Sequence, residues 1–117
     1  MGINKAILVG NVGGDPEVRY PQKGQAVAQF SLATTERGRV NADGTRNPDV
    51  TDWHNIVLWG RNAEIAERYI RKGTQLYVEG KIRTRSYQDK TGITRYITEI
   101  YGDRIELLSR RPDAAGT

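Results

Sequence analysis

The sequence predicts an all-β domain with one helix: five strands closing a small Greek-key barrel, with a long arm between the second and third strands. Three observations carry that prediction. Apolar and polar residues alternate with period two in five separate segments, as they do in strands with one buried face. One stretch alone, Asn62 to Lys72, has the 3.6-residue period of a helix, and it falls between the third and fourth strand segments. The segment ERGRVNADGTRNPD holds Gly, Asn, Asp, Pro and three arginines but almost nothing to bury, so it reads as the mobile tip of a long hairpin.

The first strand runs from Asn4 to Val12, with Ala6, Leu8 and Val12 on one side and Lys5, Ile7 and Val9 on the other. Apolar residues on both sides predict burial on both sides, and GNVGGDPE then supplies turn chemistry. Ala26 to Thr35 is the second strand: Ala26, Ala28, Phe30 and Leu32 point to the core, Gln29 and Ser31 away from it. In the third, TDWHNIVLWG, Ile56 and Leu58 take the inner face, while Trp53, Asn55, Val57 and Trp59 share the outer one.

Asn62 is positioned to cap the helix, Ile65, Ala66, Tyr69 and Ile70 form its apolar stripe, and Gly73 supplies a left-handed stop. Arg68, Arg71 and Lys72 sit where the helix dipole favours cations. Leu76 to Tyr87 is the fourth strand, with Leu76, Val78 and Ile82 opposite Tyr77, Glu79, Lys81, Arg83, Arg85 and Tyr87. QDKTGI turns the chain into a fifth strand from Arg95 to Tyr101, continuing toward Leu107. Residues 1–108 form the domain, and the stretch from Ser109 to Thr117 lacks periodicity and is expected to be disordered. Strand, strand, strand, helix, strand, strand is the order of the five-stranded OB-fold Greek-key barrel, an architecture widely used to bind oligonucleotides.

Bulk composition narrows the function. A chain of 117 residues is economically one domain, and it has no apolar run of membrane-spanning length. MGINKAILVGN goes straight into a strand pattern rather than a signal peptide, and Ala6 breaks the myristoylation pattern. The lack of cysteine excludes disulfides and thiolate metal sites and fits a reducing compartment, so the cytoplasm is the expected location. A net charge of +4 favours a polyanionic partner without establishing one.

The arrangement of aromatics and cations is more telling. Trp53 and Trp59 lie on one face of one strand, roughly 20 Å apart at about 3.3 Å per residue. A single tryptophan in a strand is more often a core or interface ring, but the partner face of this strand already buries Ile56 and Leu58. Bases restack on aromatic rings with little regard to their identity, each contact worth about 1–3 kcal/mol. Lys81, Arg83 and Arg85 form a row at about 6.6 Å spacing that ends in Tyr87, a track suited to backbone phosphates. A charged edge strand is the plainer reading of that row, since edges are commonly blunted with charges, and Glu79 stops the row short of Tyr77.

Catalysis is not expected: His54 is alone, and the pairs Asp15 with Glu17 and Asp49 with Asp52 sit in turns without a nucleophile. No metal site and no cofactor follows from these residues, and GNVGG does not open a phosphate-cradling helix. Single-stranded nucleic acid is the leading partner. An OB-fold replication-restart adaptor acting mainly through protein contacts is the alternative, and a cold-shock-like RNA chaperone is disfavoured because the aromatic-rich RNP-type string is absent.

NKAILVGNVGGDPEVRY, TDWHNIVLWGRNAEIAERYIRKGTQLYVEGKIRTRSY and GITRYITEI closely resemble the bacterial single-stranded DNA-binding protein family in order, spacing and residue type, from Asn4 to about Leu107. The resemblance implies a non-catalytic homotetramer that wraps single-stranded DNA during replication, recombination and repair, in the bacterial cytoplasm and on its nucleoid. Carried over by position, Trp53, Trp59 and Tyr87 fall where the family stacks bases, and Lys5, Arg61, Arg71, Lys72, Arg83, Arg85 and Arg95 fall at or near its basic track. His54, Gln75 and Tyr77 fall at subunit-interface positions.

Two departures qualify the resemblance. Gly38 stands where well-known members carry a further stacking tryptophan, so that position is lost or replaced by the neighbouring arginines. The family also ends in an acidic tail that recruits replication and repair proteins, whereas this sequence closes on RRPDAAGT; such partners are expected only if the full-length protein continues into that tail.

Overall fold

A computed structural model describes residues 1–21 and 24–109. The elements are β1 (Ala6–Val12), β2 (Glu17–Arg19), β3 (Val27–Glu36), β4 (Val50–Trp59), α1 (Gly60–Tyr69), β5 (Gln75–Gln88) and β6 (Thr94–Leu107). The sheet runs β1-β5-β6-β4-β3-β2, and β1 also pairs with β3 through Asn11↔Ala33 and Val12↔Leu32. That second pairing closes β1, β3, β4, β5 and β6 into a five-stranded barrel. All pairs are antiparallel except β4 with β6, the Greek-key crossing.

The alternation read from the sequence fills the barrel. Ala26, Ala28, Phe30, Leu32, Ile56, Leu58, Leu76, Val78 and Ile100 form its core, and Ala63, Ala66 and Ile70 of the helix segment plug one end. Where β5 and β6 leave the barrel, an extra residue on β6 shifts the register between Glu79 and Gly80. Gly80 and Gly102 face each other there, and a Cβ on Gly80 would lie 2.0 Å from the Tyr101 carbonyl oxygen. The bulge bends the strand pair, and beyond it Lys81 to Gln88 are exposed on both faces.

Several expectations change. β2 is a short additional edge strand on β3. The helix begins at Gly60, directly after Trp59, with no side-chain cap; Asn62 instead donates its amide to the Asp103 carbonyl at 3.2 Å. Gly60 N donates to the Ala26 carbonyl, so a barrel strand satisfies a donor that a cap would otherwise serve. Tyr69 is exposed, and Ala63 takes its place in the buried stripe. Ile7 and Val9 are 57% and 49% exposed, so β1 is buried on one side only within the chain.

The arm is a hairpin, as read, and its tip carries its own hydrogen bonds. Val40 bridges Arg46, Asn41 N donates to the Thr45 carbonyl, and the Asp43 carboxylate accepts from Thr45 N at 3.0 Å. Ser109 is tied down as well, its hydroxyl accepting from Gln75 N at 2.8 Å. The rest of the segment expected to be disordered, 110–117, lies outside the described residues.

Candidate nucleic-acid interface

Directly opposed residues in a sheet share a face, so strand register decides which side chains meet. Asn55 is opposite Glu99 and Val57 opposite Tyr101 across β4 and β6, while Lys81, Arg83, Arg85 and Tyr87 oppose Tyr101, Glu99, Ile97 and Arg95 across β5 and β6. Trp53, Trp59, Lys81, Arg83, Arg85, Tyr87 and Arg95 therefore lie on one outer face spanning three adjacent strands. Gln29, Ser31 and Ala33 of β3 extend it beyond the tryptophans.

The two indoles are held differently. Trp53 is 61% exposed and lies over Gly13, where a Cβ would come within 2.5 Å of the indole Cζ3. A side chain at position 13 would lift the ring. Trp59 is 36% exposed and meets the ring of Tyr101 edge to face, with centroids 4.6 Å apart. Both rings keep open surface and have a fixed backing. Tyr87 is exposed on the distal hairpin, opposite Arg95.

The cations divide into engaged and free. The Arg85 guanidinium donates from Nε to Glu99 Oε1 at 2.9 Å and from Nη2 to Oε2 at 3.5 Å. That bond, reinforced by the carboxylate charge, raises the Arg85 pKa above its ordinary value. Arg95 Nε donates to Asp89 Oδ2 at 2.7 Å. Hydrogen bonds from Thr91 and Arg95 lower the Asp89 pKa to about 2. Among the described residues neither Lys81 nor Arg83 takes part in an ion pair.

The remaining basic positions are not gathered on this face in the same way. Lys5 pairs with Glu79 at 3.2 Å and shares a hollow with Lys81, so it sits beside the track. Arg61 lines a hollow on the helix with Glu64, Ile65, Arg68 and Tyr69. Arg71 Nη1 donates to the carbonyls of Glu67 and Ile70, capping the helix end, and Lys72 N donates to Asp15. Gly38 is packed so closely that a Cβ would fall 1.8 Å from the Asn47 carbonyl oxygen, so no ring fits there without moving the arm. Arg37 and Arg39 beside it are exposed.

Of the expected interface residues, Tyr77 and Gln75 lie opposite Val9 and Asn11 on the outer face of β1 and β5. Tyr77 donates its hydroxyl to Glu79 at 2.7 Å, which raises the phenol pKa, while bonds from Tyr77 and Lys5 lower that of Glu79. His54 stands apart on β4, its Nε2 2.9 Å from Thr34 Oγ1. Among the described residues no group of three or more His, Cys, Asp or Glu side chains could hold a metal, and no helix is long and apolar enough to cross a membrane.

Sequence reasoning missed Gly13, Tyr101 and Glu99. The alternation of ITEIYG placed Glu99 and Tyr101 on the parity of Arg95, which was a usable signal. Nothing local marks Gly13, because its contact with Trp53 is made over the intervening strand β3.

The profile of the Single-strand binding protein family matches residues 3–108. A "Single-stranded DNA-binding protein" from Bacteroides thetaiotaomicron is 57% identical over all 117 residues, which span 71% of that relative. Among solved structures, a Plasmodium falciparum SSB in complex with ssDNA superposes with a TM-score of 0.83 at 33% identity, covering 93% of this chain and 97% of that one.

Proposed function

The chain belongs to the single-strand binding protein family, and from that premise we propose how it works: single-stranded DNA lies along the outer face of β4, β6 and β5, stacking bases on Trp53, Trp59 and Tyr87. Lys81, Arg83, Arg85 and Arg95 line the same face and take phosphates, with Lys5 beside them. One observation carries this reading: both half-open indoles and the cation row share a single sheet face. The rings are tolerant of base identity and the cations of base sequence, so the protein binds and protects strands of any sequence. Arg61, Arg71 and Lys72 sit at the helix and contribute to the general positive field. Such binding serves replication, recombination and repair in the cytoplasm and needs no catalysis.

We propose that assembly uses β1. Its edge is paired with β3 only at Asn11 and Val12, and Ile7 and Val9 face outward beside Tyr77 and Gln75. An open strand edge with apolar side chains is a surface for another copy of the chain. We take the functional unit to be a homotetramer in which this face is one of the interfaces; pairing through it joins two copies, and a second contact joins the pairs.

Anisotropy of a labelled oligo-dT tests the binding. The single strand should bind far more tightly than a duplex of equal length, with log K falling against log salt by about 0.7 per phosphate neutralised. Equal affinity for duplex would overturn the stacking account. Light scattering should give four chain masses for the free protein, and a monomer mass would overturn the assembly.

A further inference from the structure

A carboxylate occupies the middle of the cation-rich face. Glu99 lies directly opposite Arg83 and beside Asn55, yet it is only 4% exposed, because the Arg85 guanidinium folds across it. A bare acid on a polyanion-binding surface repels its ligand, and an acid this deep is costly unless paired. Both objections are met if its task is to hold the arginine.

The geometry fits that task. Arg85 spends Nε and one N–H of Nη2 on the carboxylate, which leaves three of its five N–H donors on the outer edge of the guanidinium. The side chain remains 50% exposed and lines a cleft of about 230 Å³ with Gln29, Asn55, Ile97 and Glu99, between the tryptophan strand and the cation row. An arginine clamped in this way has lost its rotamer freedom on folding and presents a fixed fork to a phosphate.

Resting on the single-strand reading above, we propose that Glu99 is a positioning residue for DNA binding: it fixes the Arg85 guanidinium so that its outer edge receives a backbone phosphate as the strand passes the cleft. The partner this recognises is the phosphodiester itself, not a base edge, so the contact carries no sequence preference.

The test turns on a sign. Removing a negative charge from a DNA-binding face should tighten binding and steepen the salt dependence if charge alone matters. With Glu99 as a positioning residue, Glu99→Gln instead weakens oligo-dT binding by about tenfold and lowers the magnitude of the salt slope by about 0.7, one phosphate contact. Arg85→Ala should do the same, and the double variant should bind no more weakly than Arg85→Ala alone. Should Glu99→Gln fail to fold, as judged by circular dichroism, Arg85→Lys gives the answer, since it preserves charge and loses the fork; it should also weaken binding several-fold. Tighter or unchanged binding by Glu99→Gln, additive losses in the double variant, or wild-type affinity in Arg85→Lys would each overturn the proposal while the wild-type chain still bound oligo-dT. A wild-type chain that ignored oligo-dT would overturn the single-strand reading and this inference together.

Discussion

The two halves of β5 follow the same alternation to opposite ends. From Gln75 to Gly80 the strand is part of the barrel: Leu76 and Val78 are sealed in the core and the outer side chains meet β1. From Lys81 to Gln88 it pairs only with β6, and even Ile82, on the inward parity, is exposed. The bulge opposite Gly80 separates them. One strand thus anchors the fold with its first half and presents cations and Tyr87 with its second. In the binding reading proposed above, burial pattern rather than residue alternation separates the half that stabilises from the half that binds.

Substitutions should divide along that boundary. The largest effect belongs to the barrel half: Leu76→Ala should lower unfolding free energy by about 2–5 kcal/mol in urea titration and leave the DNA affinity of the folded fraction unchanged. A cost confined to binding would erase the boundary. On the proposed binding face, Trp53→Ala should cost about 1–3 kcal/mol of oligo-dT binding, with stability moving by no more than about 0.5 kcal/mol. Equal losses of both would make Trp53 a core ring.

Gly13→Ala sharpens the comparison, because it touches no cation and no base. By pushing Trp53 off its seat it should weaken oligo-dT binding by up to about 1 kcal/mol, the cost of one displaced side chain, and shift tryptophan emission of the free protein. Unchanged emission would show that the ring is not set by that glycine.

The smallest effect concerns the turn that closes the distal half. Asp89 accepts from Thr91 and Ile93 main-chain N–H groups and from Arg95, and its folded pKa near 2 lies below the unfolded carboxylate value. Its contribution is complete above the unfolded value of about 4 and fades as pH falls through about 2. The hairpin should therefore keep its Thr91 and Ile93 amide shifts from neutrality to about pH 3 by NMR and lose them below. Loss near pH 4 would mean an unperturbed carboxylate.

The barrel was legible because the fold buries one face of each strand and the sequence alternates to match: Phe30, Leu32, Ile56, Leu58, Leu76 and Val78 all took the inner side as read. Ile7 and Val9 are exposed within the chain although both sides of β1 read as buried, because period two reports which residues share a face and not what covers it. The helix start was misplaced because Gly60 N is satisfied by Ala26, just beyond the Val27↔Trp59 pair of the neighbouring strands, which leaves no capping signature in the sequence. The three-residue β2 is too short to show a period. In the candidate site, the tryptophans and the cation row were visible as strand parity. Their union on one face required the β4–β6 and β5–β6 registers, and the Glu99 clamp and the Gly13 seat exist only once those strands are in place.

The central claim, that the strand stacks on this outer face, is tested most directly by single-indole variants. In Trp53→Phe the remaining emission is from Trp59, and in Trp59→Phe it is from Trp53. Saturating oligo-dT, followed in parallel by anisotropy, should quench both. Unquenched emission from both variants while the oligonucleotide is fully bound would contradict the account.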